Sequence, residues 1–189
     1  MKVKLEVSAR HIHISQEHLE VLFGKGYALK KHVKPLSQPG QYAEEETVQV
    51  VGPKRSFDKV RILGPVREKT QVELAVSDCY YIGVEPVLKV SGDLEGSSGC
   101  KLVGPEGEID LIEGVIVAKR HLHLNPAQAK ENGLEDGDYI KVRVSGERAL
   151  IFDQIRVRVH ENFDSAVHLD TDEANAALVK TGDEGEIAQ

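Results

Sequence analysis

The chain has 189 residues, 40% hydrophobic and 29% charged, which excludes a disordered polymer and leaves room for one domain or two small ones. A net charge of -7 offers no basic field for a nucleic-acid duplex, and 5% aromatics with no Trp argue against base- or sugar-stacking platforms. No apolar run approaches the roughly 20 residues of a membrane span, residues 1–6 lack a signal-peptide core, and two cysteines, Cys79 and Cys100, are too few for a disulfide scaffold, so a cytoplasmic location is expected.

Along the chain, the apolar positions from Val3 to Ala9 are odd (Val3, Leu5, Val7, Ala9), then turn even at Ile12 and Ile14 beyond Arg10. Because side chains alternate across a strand, this change of parity predicts either a bulge or a strand passing from one core to another, with His11 and His13 at the boundary. Ser15 is a good N-cap for a short helix running out at Gly24. Residues 25–46, with Pro35, Pro39 and Gly40, read as an excursion. Short segments bounded by Gly, Pro, Asp or Asn predict strands at 47–51, 59–63, 70–76, 87–90 and 114–118, with a loop-rich stretch at 92–107. Asn125 caps a second short helix ending at Gly133. Strands follow at 139–144, 149–159 and 166–169, and Thr171 is placed to cap a helix over 172–180 that ends at Gly182. Many short strands and few helices favour small β-barrels over a βαβ sheet.

One stretch recurs. Val7-Ser-Ala-Arg10-His11-Ile12-His13-Ile14-Ser15 is echoed by Val117-Ala-Lys-Arg120-His121-Leu122-His123-Leu124-Asn125, each copy followed by its capped helix. Two copies of one strand-then-helix unit predict two related half-molecules. Residues i and i+2 on a strand point to one side, about 6.5 to 7 Å apart, so each His-x-His can converge on one metal ion. Imidazole suits Zn, Cu, Fe or Ni, and the spacing does not choose among them. A catalytic site has three protein ligands and an open position. His168, in Ala-Val-His-Leu-Asp, is a candidate third ligand for His121 and His123. Glu73 lies in an apolar-flanked strand, where a carboxylate needs a cation or an ion pair. His18, His32 and His160 read as structural or surface residues, and the two cysteines as buried, inert thiols.

These residues carry a resemblance. The ordered set Ser8-Ala-Arg-His-Ile-His, Gln38-Pro-Gly-Gln41, Val60-Arg-Ile-Leu-Gly-Pro65 with Arg67, Thr70-Gln-Val-Glu73, Ser91-Gly-Asp-Leu94, Arg120-His-Leu-His123 and His168-Leu-Asp-Thr-Asp-Glu-Ala-Asn175 resembles the PduL-type phosphate propanoyltransferases, or phosphotransacylases, over nearly the whole chain. The resemblance implies a mainly β fold of two small antiparallel barrels with short helices and a dinuclear zinc site between them. One barrel would be discontinuous (1–10 with 119–189) and the other would span 11–118, with an excursion at about 25–46. Carried over by motif, His11, His13 and Glu73 would hold one zinc and His121, His123 and His168 the other. Arg67 would bind phosphate, and Ser91 would lie near the reacting groups.

The implied reaction is reversible transfer of a short acyl group, propanoyl or acetyl, between coenzyme A and phosphate, giving acyl phosphate and CoA. Neither a homodimer nor association with a bacterial microcompartment shell is decided by the residues; an N-terminal targeting extension, common in encapsulated members, is not evident ahead of His11. Two other classes use the same ligands: a zinc-dependent thioester hydrolase, which needs no phosphate, and a non-catalytic metal-binding assembly module, whose sites would be closed by four ligands. A covalent route through Cys79 or Ser91 is disfavoured, because neither has a base evident in the sequence.

Overall fold

The computed structural model describes residues 1–29 and 32–188. In chain order the elements are β1 (Lys2–Ser8), β2 (His11–His13), α1 (Gln16–Phe23), β3 (His32–Pro35), β4 (Tyr42–Val51), β5 (Ser56–Gly64), β6 (Gln71–Glu73), α2 (Val76–Ile82), β7 (Leu88–Lys89), β8 (Ser98–Val103) and β9 (Glu108–Ala118). Then follow β10 (His121–Leu124), α3 (Pro126–Glu131), β11 (Tyr139–Val144), β12 (Leu150–Val159), β13 (Ala166–Asp170), α4 (Thr171–Ala177) and β14 (Glu184–Ala188).

The chain forms two compact units, one of Met1–Ala9 with Lys119–Gln189 and one of Arg10–Ala118. In the first, β1-β13-β10-β12-β11-β14 close into a ring, β14 pairing back onto β1. In the second, β9-β6-β2-β5-β4 are joined by β8, which pairs with both β4 and β9 and so closes a second six-stranded ring. Here β3 extends from β4, and β7 from β9. Going round either ring from β1 or from β9, the pairings run parallel, antiparallel, parallel, then three times antiparallel. The repeat seen around the histidines is thus a repeat of whole barrels, with β10 the counterpart of β2, β12 of β5 and β13 of β6. Both are small, mainly β barrels with short helices, as expected, and each mixes two parallel pairs with four antiparallel ones.

Each barrel encloses its own core. Val3, Leu5, Leu122, Leu124, Val157 and Val167 share one, and Ile12, Ile14, Ile62, Val72 and Val115 share the other. The odd-to-even change at Arg10 has its explanation here: Val3 and Leu5 point into one core and Ile12 and Ile14 into the other, so the parity changes where the chain leaves one barrel for the next. The same passage recurs between β9, a strand of the second ring, and β10, a strand of the first.

The helices seal the barrels. Ser15 accepts the His18 amide to start α1, which buries Leu19 and Leu22 and stops at Gly24, whose φ of 104° suits glycine. Asn125 and Gln128 form a reciprocal capping box on α3, with Pro126 in the first turn. Asp170, and not Thr171, caps α4, through a capping box with Glu173. Other elements also differ from the sequence reading, among them β14, a strand not expected there and one that closes the first ring. The expected strand at 70–76 shortens to β6 and turns into α2, and the stretch 92–107 contains β8. Among the described residues, no helix is long and apolar enough to cross a membrane.

Candidate metal and phosphate site

Register decides what meets what. On the ladder between β2 and β6, His11 lies opposite Glu73 and His13 opposite Gln71. On the corresponding ladder between β10 and β13, His121 lies opposite His168 and His123 opposite Ala166. Glu73 and His168 are therefore counterparts, each facing the first histidine of its pair across an antiparallel ladder. Two groups result, His11, His13 and Glu73 in one barrel and His121, His123 and His168 in the other. In each, one donor atom per residue lies within 4.8 Å of the others.

In the first group, the Nε2 atoms of His11 and His13 are 3.2 Å apart, and the Glu73 carboxylate reaches to 3.5 Å from His11 and 3.8 Å from His13. Burial holds the His13 imidazole well below its usual pKa, reinforced by His11 and by the Arg67 guanidinium and opposed by Glu73. A neutral imidazole offers a lone pair. In the second group, ring centroids of the three histidines lie 4.6 to 4.9 Å apart. Nδ1 of His121 lies 2.8 Å from the Lys119 carbonyl, an acceptor, so that nitrogen carries the proton and Nε2 keeps its lone pair. Burial, then His121, His168 and Arg158, lower the pKa of His123.

A divalent cation fits both groups. Both ring nitrogens of His123 are buried without a hydrogen-bond partner among the described residues, and a bound cation would satisfy one of them. Three imidazoles, or two and a carboxylate, are the donor types of a three-ligand zinc site.

The surroundings of the two groups differ. In the first, Ser91 donates its hydroxyl to Oε1 of Glu73 at 2.9 Å, and the Gln71 amide donates to the same oxygen at 2.6 Å and to the Ser91 hydroxyl at 3.0 Å. The Gly92 amide in turn donates to the Gln71 carbonyl at 2.7 Å. Ser91 is thereby tied to the Glu73 carboxylate. Arg67 lies between β5 and β6, its backbone amide donating to the Ile14 carbonyl just beyond His13. In the second group, Phe163 stacks on His123 with centroids 3.8 Å apart, and Glu6, beside His168 on the parallel strand β1, brings a carboxylate oxygen to 3.7 Å from its Nδ1.

Sequence reasoning missed Gln71, Glu6 and Phe163. Gln71 could have been found as the residue two before Glu73, on the same strand face; Glu6 is an acid on the face opposite Val3, Leu5 and Val7. Phe163 carries no sequence signal. His18 hydrogen-bonds Thr70 at 2.8 Å, His32 faces Glu44, and His160 tilts against Phe163. Cys79 is fully buried, and burial pushes the Cys100 thiol up to about 12, so that thiol is no nucleophile at neutral pH.

The family model for phosphate propanoyltransferase matches residues 4–180. Among curated proteins, the chain is 53% identical over 178 residues to a phosphate propanoyltransferase of Thermotoga maritima, covering 94% of this chain and 84% of that protein. It is 47% identical to that of Sebaldella termitidis (97% and 86% covered) and 43% identical to that of Listeria monocytogenes (98% and 86% covered).

Proposed function

Because the chain belongs to the phosphate propanoyltransferase family, and is thus an acyltransferase, we propose that it exchanges coenzyme A for phosphate on a short acyl group, using two zinc ions and Arg67. His11, His13 and Glu73 would hold one ion, and His121, His123 and His168 the other. Bound zinc supplies Lewis acidity toward oxygen and an acceptor for sulfur.

The remaining steps fall to the chain. The Arg67 guanidinium, close enough to His13 to depress its pKa, grips phosphate in a two-pronged, charge-assisted fork and presents one oxygen to the thioester carbonyl. That oxygen bonds to the carbonyl carbon, the carbon–sulfur bond breaks, and acyl phosphate and the CoA thiolate separate; in reverse, the thiolate attacks acyl phosphate. The Ser91 hydroxyl is committed to Glu73 in this structure, so its role is to fix that carboxylate, and a covalent acyl-serine is not invoked.

The observation that carries this reading is the recurrence of one three-donor arrangement at matching register positions of both barrels, with Arg67 anchored at the end of one of them. Its test is phosphate-dependent release of free thiol from acetyl-, propanoyl- and butanoyl-CoA by metal-loaded protein. Thiol release that is equally fast without phosphate would make the chain a hydrolase and overturn the reading.

A further inference from the structure

Each His-x-His pair is preceded by an arginine, and the reaction described above uses neither. Arg10 forms a two-pronged ion pair with Asp78, Nη2 to Oδ1 at 2.6 Å and Nε to Oδ2 at 3.1 Å, and its guanidinium carbon lies 4.1 Å from the centre of the Phe57 ring. Arg120 pairs through Nε with Oε1 of Glu173 at 3.1 Å and lies 5.6 Å from the centre of Phe152.

The two sets match position by position. Asp78 is five residues past Glu73, and Glu173 five past His168, each in the first turn of the helix that follows the third donor. Phe57 lies four residues before Arg61, the register partner of His11; Phe152 lies four before Arg156, the register partner of His121. An arginine, a carboxylate and a phenylalanine thus recur around both triads. The arginine side chains are 42% and 33% exposed but their carboxylate partners only 8% and 21%, so both pairs are part-buried and better sheltered from water than ordinary surface pairs. Their position has a local consequence. The ladder joining β2 to β6 is only three residues long and ends at the pairing of His11 with Glu73; the ladder joining β10 to β13 ends likewise at His121 and His168. Short ladders open first at their ends, and opening here would part the first histidine from the third donor.

We propose that Arg10 and Arg120 are positioning residues, each tying the residue before its histidine pair to the helix after the third donor and so holding its own metal triad closed. The proposal rests on the two-metal reading above and extends it to groups that touch no metal. Each clamp serves the triad of its own barrel alone.

The test counts metal and measures its retention at pH 8 by chelator titration, with thermal unfolding alongside. The proteins are wild type, Arg10→Ala, Arg10→Lys, Asp78→Asn, Arg120→Ala and Glu173→Gln, together with Arg10→Ala and Arg120→Ala each placed in a His123→Ala background. Clamp variants should release one zinc at about 10- to 100-fold lower chelator concentration than wild type, the span typical for groups that orient metal ligands, and keep the other. Lys should rescue Arg10 in part, because it keeps the charge without the fork. In the His123→Ala protein, which retains the ion of the other barrel, Arg10→Ala should loosen that remaining ion and Arg120→Ala should not. A wild type holding two ions together with folded Arg10→Lys and Asp78→Asn proteins that retain both as tightly as wild type overturns the clamp alone, whatever happens to the melting temperature. A wild type that binds fewer than two ions removes the two-metal reading, and the clamp with it.

Discussion

The two barrels share a strand plan and diverge at the positions that would face a metal. Opposite the first histidine, one has Glu73 and the other His168; opposite the second, one has Gln71 and the other Ala166. A dication held by three neutral imidazoles would keep its full formal charge, whereas one beside Glu73 would lose a unit of it, so on the two-metal reading the two centres would differ in electrophilicity. Their neighbours follow the same division. A hydrogen-bonded network of Gln71, Ser91 and Gly92 grips the carboxylate, while an apolar ring, Phe163, packs against an imidazole. The repeated strand plan puts the donors at matching register positions, and the residue types at those positions differ between the barrels.

The largest effect should come from deleting a donor. His123→Ala and His11→Ala should each lose activity through loss of one metal equivalent, from different barrels, while His18→Ala and His160→Ala change little. Elemental analysis with thiol-release assays decides this; if His160→Ala loses metal as severely as His123→Ala, the division of the eight histidines is wrong.

Next comes Arg67, which lowers the pKa of His13 as Arg158 lowers that of His123 in the other barrel. Arg67→Ala should cost about 2 to 4 kcal/mol of transition-state stabilisation, on the order of 30- to 1000-fold in rate, with both ions retained. Arg67→Lys should recover little of it. Initial rates against phosphate concentration at saturating acyl-CoA measure this, and unchanged phosphate saturation in a folded, metal-loaded Arg67→Ala protein would place the phosphate elsewhere.

Making the barrels alike is a sharper manipulation. Gln71→Ala copies Ala166 of the other ladder and removes the amide that steadies Glu73 and Ser91, so zinc in that barrel should weaken about tenfold while the three-histidine ion is unaffected. Stepwise chelator release monitors the two ions, and simultaneous weakening of both would contradict independent centres.

The remaining effect, on the pH dependence of stability, concerns Glu173. Burial raises its pKa to about 7, opposed by the hydrogen bond from the Asp170 backbone amide and by Arg120, and reinforced by the Asp170 carboxylate charge. Between the unfolded value of 4.5 and about 7, the folded protein keeps a proton that the unfolded chain has lost, so this group makes the fold less stable as pH rises through that window, with no further loss above it. Glu173→Gln should flatten that slope, by on the order of 1 to 3 kcal/mol, or a few degrees in Tm. Melting curves at pH 5 and pH 8 for both proteins test it; identical slopes would refute it.

The histidine pairs and the duplication were legible because spacing along one strand needs no tertiary information. His168 and Glu73 were visible as polar residues in apolar-flanked strands, but that they are counterparts depends on register between strands far apart in sequence. Strand β8 was hidden in a stretch that looks like a loop. Its Gly99 is there because a Cβ would fall 2.3 Å from the Leu111 carbonyl oxygen on β9, so the residue that punctuates the sequence permits the close approach of two strands. Helix α2 was hidden for another reason: its N-cap is Ala75, which makes no side-chain cap hydrogen bond, so no capping residue marks where strand gives way to helix.

Strand β1 precedes the other elements in sequence and, among the described residues, pairs with β13 and β14, both late in the sequence. During synthesis it waits for partners that emerge roughly 160 residues later, on the order of 8 to 30 seconds at ordinary elongation rates. By then every strand of the ring within Arg10–Ala118 has been made. The nascent chain thus holds all the strands of one ring before the partners of β1, the strand bearing Val3 and Leu5, exist. That strand must remain unclaimed by other sheet edges until the last third of the chain arrives.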